Sequence, residues 1–167
     1  MYDLSVPVLL RHLNILAGYL DLAKWYAEEN GIEESVLVQA RLAPNMMSLA
    51  GQVQRASDNA KSGIGRLAGI QPPFFPDTER TLAELMLRIE HTETFLDAIV
   101  PEQLAGSESR PVDLRFRSVN GVLRGDTYLL SVLLPNFFFH VTTAHNILRH
   151  NGMAIGKKDY FGALAYL

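Results

Sequence analysis

The residues from Pro135 to Gly152, PNFFFHVTTAHNILRHNG, leave few folds open to this chain. Wound at about 100° per residue, Phe137, Val141, Ala144 and Leu148 form an unbroken apolar stripe that must pack against other apolar surface. Beside it, across about 80°, Asn136, His140, Thr143, Ile147 and His150 form a mostly polar shoulder. Polar groups at the edge of a core need partners, so a site is expected on this shoulder. Ser131, Thr142, His145 and Arg149 fall on the far side, where water is expected. Pro135 lies inside the helical pattern and is expected to kink it, freeing carbonyls just before the shoulder begins.

Three other segments supply surfaces for that stripe. From Ser5 to about Glu29 the pattern is helical, with Asp3 or Ser5 as cap, Pro7 in the first turn and Asn30-Gly31 at the end. Val8, His12, Ile15, Tyr19, Leu22 and Tyr26 share one line, and Leu9, Leu13, Leu16, Leu20 and Ala23 its neighbour. Such a broad face meets two helices. His12, lying within it, reads as a satisfied core or groove residue. A second helix runs from a cap at Asn45 to Ala68, with Gly69 beyond it and Leu49, Val53, Ala56, Ala60, Ile64 and Leu67 as its buried stripe. Asn45, Gln52 and Asn59 line one shoulder of that stripe. Gln71-Pro-Pro-Phe-Phe-Pro76 is a connector, its phenylalanines expected to cover one end of the core. A third helix, 78–99, is capped by Asp77 or Thr78. Glu90, His91 and Glu93 share no helix face as a set and read as solvated surface.

Val112, Leu114 and Phe116 alternate with Asp113, Arg115 and Arg117, as a strand does, and Asn120-Gly121 reads as a hairpin turn. A fourth helix, capped by Asp126 or Thr127, spans 127–151. The expectation is one domain over 1–167: all-α, an antiparallel four-helix bundle with a small β-hairpin in the crossover between its third and fourth helices.

Composition narrows the function classes. The formal net charge is −3 and the basic residues are scattered, which argues against a nucleic-acid surface. Cysteine is absent, which removes disulfides and thiolate chemistry. There is no apolar run of membrane-spanning length and no signal-peptide pattern, so the expected location is cytoplasmic. Glycine-rich phosphate loops, GxSxG turns and HExxH are missing. Phe138, placed on the outer face beside Thr142 and His145, together with the apolar tail, suggests a homodimer.

The segments MYDLSVPV (1–8), RLAPNM (41–46), QVQRASDNAK (52–61), LPNFFFHVTTAHNILRHNG (134–152) and GKKDYFG (156–162) resemble the DinB/YfiT-like four-helix-bundle superfamily, in a branch of unknown function. The resemblance implies a divalent ion, zinc, nickel or iron, held by one residue of the second helix and two of the fourth, and a thiol-dependent S-transferase activity. The corresponding positions here are Gln52, Asn146 and His150. Two of these three are neutral amides, poor ligands for such metals. Two readings follow. One is a metal-dependent S-transferase. The other is a bundle with a degenerate metal triad whose polar cleft, lined by Gln52, Asn136, His140, Thr143 and His150, binds a polar small molecule, with His140 deepest and His150 nearer the mouth. A hydrogen-bonded network that merely fixes helix register is the alternative use of the same groups.

Overall fold

Residues 1–115 and 120–164 are described by a computed structural model. Its long helices are α1 (Val6–Asn30), α3 (Leu49–Ala68), α4 (Leu82–Asp97) and a rod made of α5 (Gly125–Tyr128), a π turn (Leu129–Leu133) and α6 (Leu134–His150). A short α2 (Glu34–Gln39) follows α1, and α7 (Lys157–Phe161) closes the described chain. The long helices neighbour one another in the circular order α1, α4, α3, α6, with α1 and α3 also touching across the bundle. The bundle expected from the periodicities is therefore the fold, with Leu13, Leu16, Ile64, Leu85, Ile89, Phe137 and Val141 all fully buried inside it. Among the described residues no helix is long and apolar enough to cross a membrane.

The helix ends follow local chemistry. Gly31 (φ 62°) and Gly69 (φ 70°) stop α1 and α3 in the left-handed conformation that glycine adopts without strain. The second bundle helix begins three residues later than Asn45 suggested, because the Ser48 side chain takes the Gly51 amide. The third begins at Leu82: Thr81 and Glu84 exchange backbone bonds in a capping box, which displaces Asp77 and Thr78 from that role. Residues 70–80 are left as an extended connector.

Pro135 has no N–H and its ring crowds the preceding turn. The chain answers with one wide turn, in which the Leu134 amide bonds to Leu129 O five residues back. The helix resumes with Pro135 in its first turn. This wide turn presses Leu133 against Gly63 of α3, where any Cβ would collide with the leucine.

The hairpin pairs β1 (Pro111–Arg115) antiparallel with β2 (Asn120–Arg124), Arg115 opposite Asn120 and Leu114 opposite Gly121. Asn120-Gly121 is thus ladder, not turn. The alternation holds through Arg115, while the expected positions Phe116 and Arg117 lie outside the described residues. Val112 and Leu114 are buried, which is how so small a sheet is held. The rod starts at Gly125, ahead of the expected caps Asp126 and Thr127, and the Ser107 carbonyl occupies the space that a Cβ would take at Gly125.

Candidate functional site

The deepest polar contact between α3 and α6 is His140 Nδ1 to Gln52 Oε1, 2.8 Å. Gln52 is 2% exposed, and its Nε2 donates to Met47 O at 3.3 Å. With the amide nitrogen committed to a carbonyl, Gln52 offers only its oxygen to the ring, so His140 Nδ1 carries the proton and donates. Nε2 is then a lone-pair acceptor. Burial, reinforced by the Arg55 charge, pushes the imidazole down to about 4, so the ring is neutral at pH 7.

His140 and Asn136 stand on one wall of a cleft of about 470 Å³, facing Arg55, Asn59 and Ser62 of α3. The connector closes the opposite side with Phe74, Phe75 and Asp77. Its position is set by a buried cation. Arg88, with a side chain 1% exposed, reaches Glu79 and Asp58 at 2.8 Å, Asp77 at 3.1 Å and Pro76 O at 3.1 Å. Arg55 also bonds Asp77, and Lys61 bonds Asp58 at 3.0 Å while its Nζ sits 5.0 Å above the Phe75 ring. The phenylalanines therefore do different work from core covering: Phe75 lies half-buried beneath two cations, and Phe74 is 87% exposed at the cleft mouth.

Of the expected cleft residues, the structure brings Gln52, His140 and Asn136 to one place. Thr143 is buried, but its hydroxyl turns back to Phe139 O at 2.6 Å and does not line the cleft. His150 is exposed near the helix end and is likewise absent from the cleft wall. The order of histidine burial also differs. His145, placed in water by its helical position, is 7% exposed, because Tyr19 of α1 and Tyr160 of α7 cover it. Burial raises the Tyr19 phenol well above its usual range, so Tyr19 stays protonated, and its hydroxyl shares a hydrogen bond with His145 Nδ1 at 3.0 Å. Phe138 is not an exposed outer-face residue either. It is half-buried, packed on His12 at 4.8 Å and on Phe137. The exposed phenylalanine of α6 is Phe139. Tyr160 of the tail rests on this chain's own body, its Oη accepting from the Thr142 hydroxyl at 3.1 Å.

Sequence reasoning missed Arg55, Asp58 and Asp77. The run RASDNAK was the available signal, being strongly polar along a helix whose other side is alanine and leucine.

The residues in the positions of a DinB-type metal triad do not fit a transition metal. Gln52 has both amide ends engaged, while Asn146 and His150 are exposed. Two amides and one imidazole are also a weak donor set. Among the described residues no three histidine or carboxylate side chains gather as a metal group.

Residues 1–161 match the family described as a domain of unknown function (DUF1993). A crystal structure of a DinB family member protein from Shewanella denitrificans is similar over 99% of this chain and 94% of that one, with 38% identity and a TM-score of 0.94. No curated protein matches this chain.

Proposed function

This chain belongs to the DUF1993 family, a domain of unknown function with the DinB-like bundle fold, and from that starting point we propose that the cleft between α3 and α6 binds a polar small molecule. The observation that carries the reading is the His140–Gln52 pair, which holds a neutral imidazole in one tautomer at the edge of a cleft large enough for a small ligand. Register-fixing alone would be served by any satisfied pair. It would not need the amides of Asn59 and Asn136, an arginine and an uncovered phenylalanine around the same opening. Water is the occupant these groups can already share; a ligand replaces it with fixed partners and covers Phe74.

The test is a ligand-observed NMR screen of polar fragments against the full chain and His140→Ala, with circular dichroism to confirm that the variant is folded. Hits lost in the folded variant support the reading. Hits retained at full strength, or no hits in either protein, contradict it.

A further inference from the structure

The outer face of α1 is built as a seam, and we infer that a second copy of this chain docks on it, antiparallel, about a two-fold axis level with Leu20. This surface lies outside the cleft between α3 and α6 and does not depend on it.

A surface helix ordinarily turns its charged residues toward water. In α1 the side facing the bundle is apolar as expected, with Leu9, Leu13, Leu16 and Leu20 fully buried. The opposite side is not charged throughout. Within about 80° of one another, Arg11, Ile15, Gly18, Leu22, Trp25 and Glu29 follow at alternating gaps of four and three residues. That alternation is the 3.5-residue repeat by which two helices keep a single line in contact along their length. Trp25, the one tryptophan of the chain, is 61% exposed and Leu22 is 46% exposed.

Charge and shape both select a second copy as the occupant. Arg11 and Glu29 close the two ends of the seam, about 27 Å apart along the helix axis. The Arg11 guanidinium donates to the carbonyls of Phe161 and Ala163, and neither Arg11 nor Glu29 has an ion-pair partner among the described residues. Leu20 lies midway between them, so an antiparallel copy pivoting there brings each Arg11 to the other's Glu29, once at either end. A parallel copy would set like charges together at both ends.

Leu20 is also midway between Gly18 and Leu22, and between Ile15 and Trp25. The register that pairs the charges therefore sets Leu22 of one copy over Gly18 of the other, where a Cβ would meet nothing within 4 Å. It sets Trp25 against Ile15 in the same way. Alongside runs a groove of about 600 Å³, lined by Ile15, Gly18 and Leu22 of α1 and by Gly162 and Ala163 of the tail, which gives the two large side chains room to enter.

Sedimentation equilibrium of the full chain should show a dimer at about 50 µM, with Trp25 emission moving to the red on dilution as the indole returns to water. Gly18→Gln has room in the free chain but fills the place of the incoming Leu22, so it should keep the native helical content and weaken association by about tenfold or more. Arg11→Glu and Glu29→Arg each set like charges at both ends and should each weaken association by about tenfold. Mixed in equal amounts, these two variants regain opposite charges at both ends and should associate within about twofold of the native protein. Gly18→Gln leaves the tail contacts of Arg11 untouched, so it tests the face even if Arg11→Glu loosens the tail. A monomer at about 100 µM would overturn the proposal, as would a dimer that Gly18→Gln leaves unchanged. Folded charge variants that associate no better mixed than alone would overturn the antiparallel register.

Discussion

Replacing Arg88 by methionine tests how the cleft wall is built. Methionine keeps the unbranched stem that packs near Phe75 but removes a guanidinium bonded to Ser57 Oγ at 3.2 Å, Pro76 O at 3.1 Å, and Glu79 and Asp58 at 2.8 Å. Breaking one side of a buried ion pair costs roughly 3–5 kcal/mol when the partner is stranded. Here no carboxylate is wholly stranded. Asp58 keeps Lys61 at 3.0 Å and Arg55 at 2.9 Å, Glu79 keeps Gln54 at 2.8 Å, and Asp77 keeps Arg55. The expected loss is therefore at the lower end, about 3 kcal/mol, which for a chain of this size lowers Tm by about 9 °C. The variant should also change the acid limb of stability. Burial raises the Glu79 carboxyl, but the bonds from Arg88 and Gln54 outweigh it and hold the group below its usual range. Its contribution is thus full above the unfolded carboxylate value and is lost as pH falls through the lower folded one. Without Arg88 that acid-limb slope should be shallower. Urea unfolding at pH 7 and at several values between about 3 and 5 reads both effects. A loss under about 1 kcal/mol, or an unchanged acid slope, would refute the role given to Arg88.

Three further outcomes follow from single contacts. His140 should titrate near 4 by NMR, and its contribution to stability should be flat above the unfolded value near 6.5, fall as pH drops from there to about 4, and level off below. That loss should be about 2 kcal/mol once solvent screening of the half-buried ring is allowed for. Tyr19→Phe leaves His145 Nδ1 without its hydrogen-bond partner and should cost about 1–2 kcal/mol in urea unfolding, with the cleft resonances unmoved. Gly125→Ala drives a Cβ into the Ser107 carbonyl, a backbone atom that cannot rotate away, and should cost about 3 kcal/mol by calorimetry.

The bundle was legible because each helix carries its stripe in its own sequence. Leu9, Leu13, Leu16 and Leu20, or Phe137, Val141, Ala144 and Leu148, sit at spacings that only a buried helix face explains, and all are buried. Gln52 and His140 were legible for the same reason, since each edges a stripe and the two stripes face one another. His145 was not. Its helix leaves it on the outside, and what buries it comes from Tyr19, 126 residues away, and from the tail. The Thr81 box overrode Asp77 because two reciprocal bonds outweigh a single cap residue, and Asp77 was then released to bind Arg55 and Arg88. The cleft's second wall exists only because the connector is drawn in by Arg88, which reads from sequence as an ordinary charge on a helix.

The most direct test of the cleft account is amide chemical-shift mapping of the assigned chain with a fragment from the screen. The account predicts shifts concentrated in Gln52, Arg55 and Asn59 of α3, in Phe74 and Phe75, and in Asn136 and His140 of α6. Shifts concentrated instead in the groove between α1 and the tail, at Gly18 and Leu22 of α1 and at Lys158, Asp159, Gly162 and Ala163, with His140 unmoved, would contradict it.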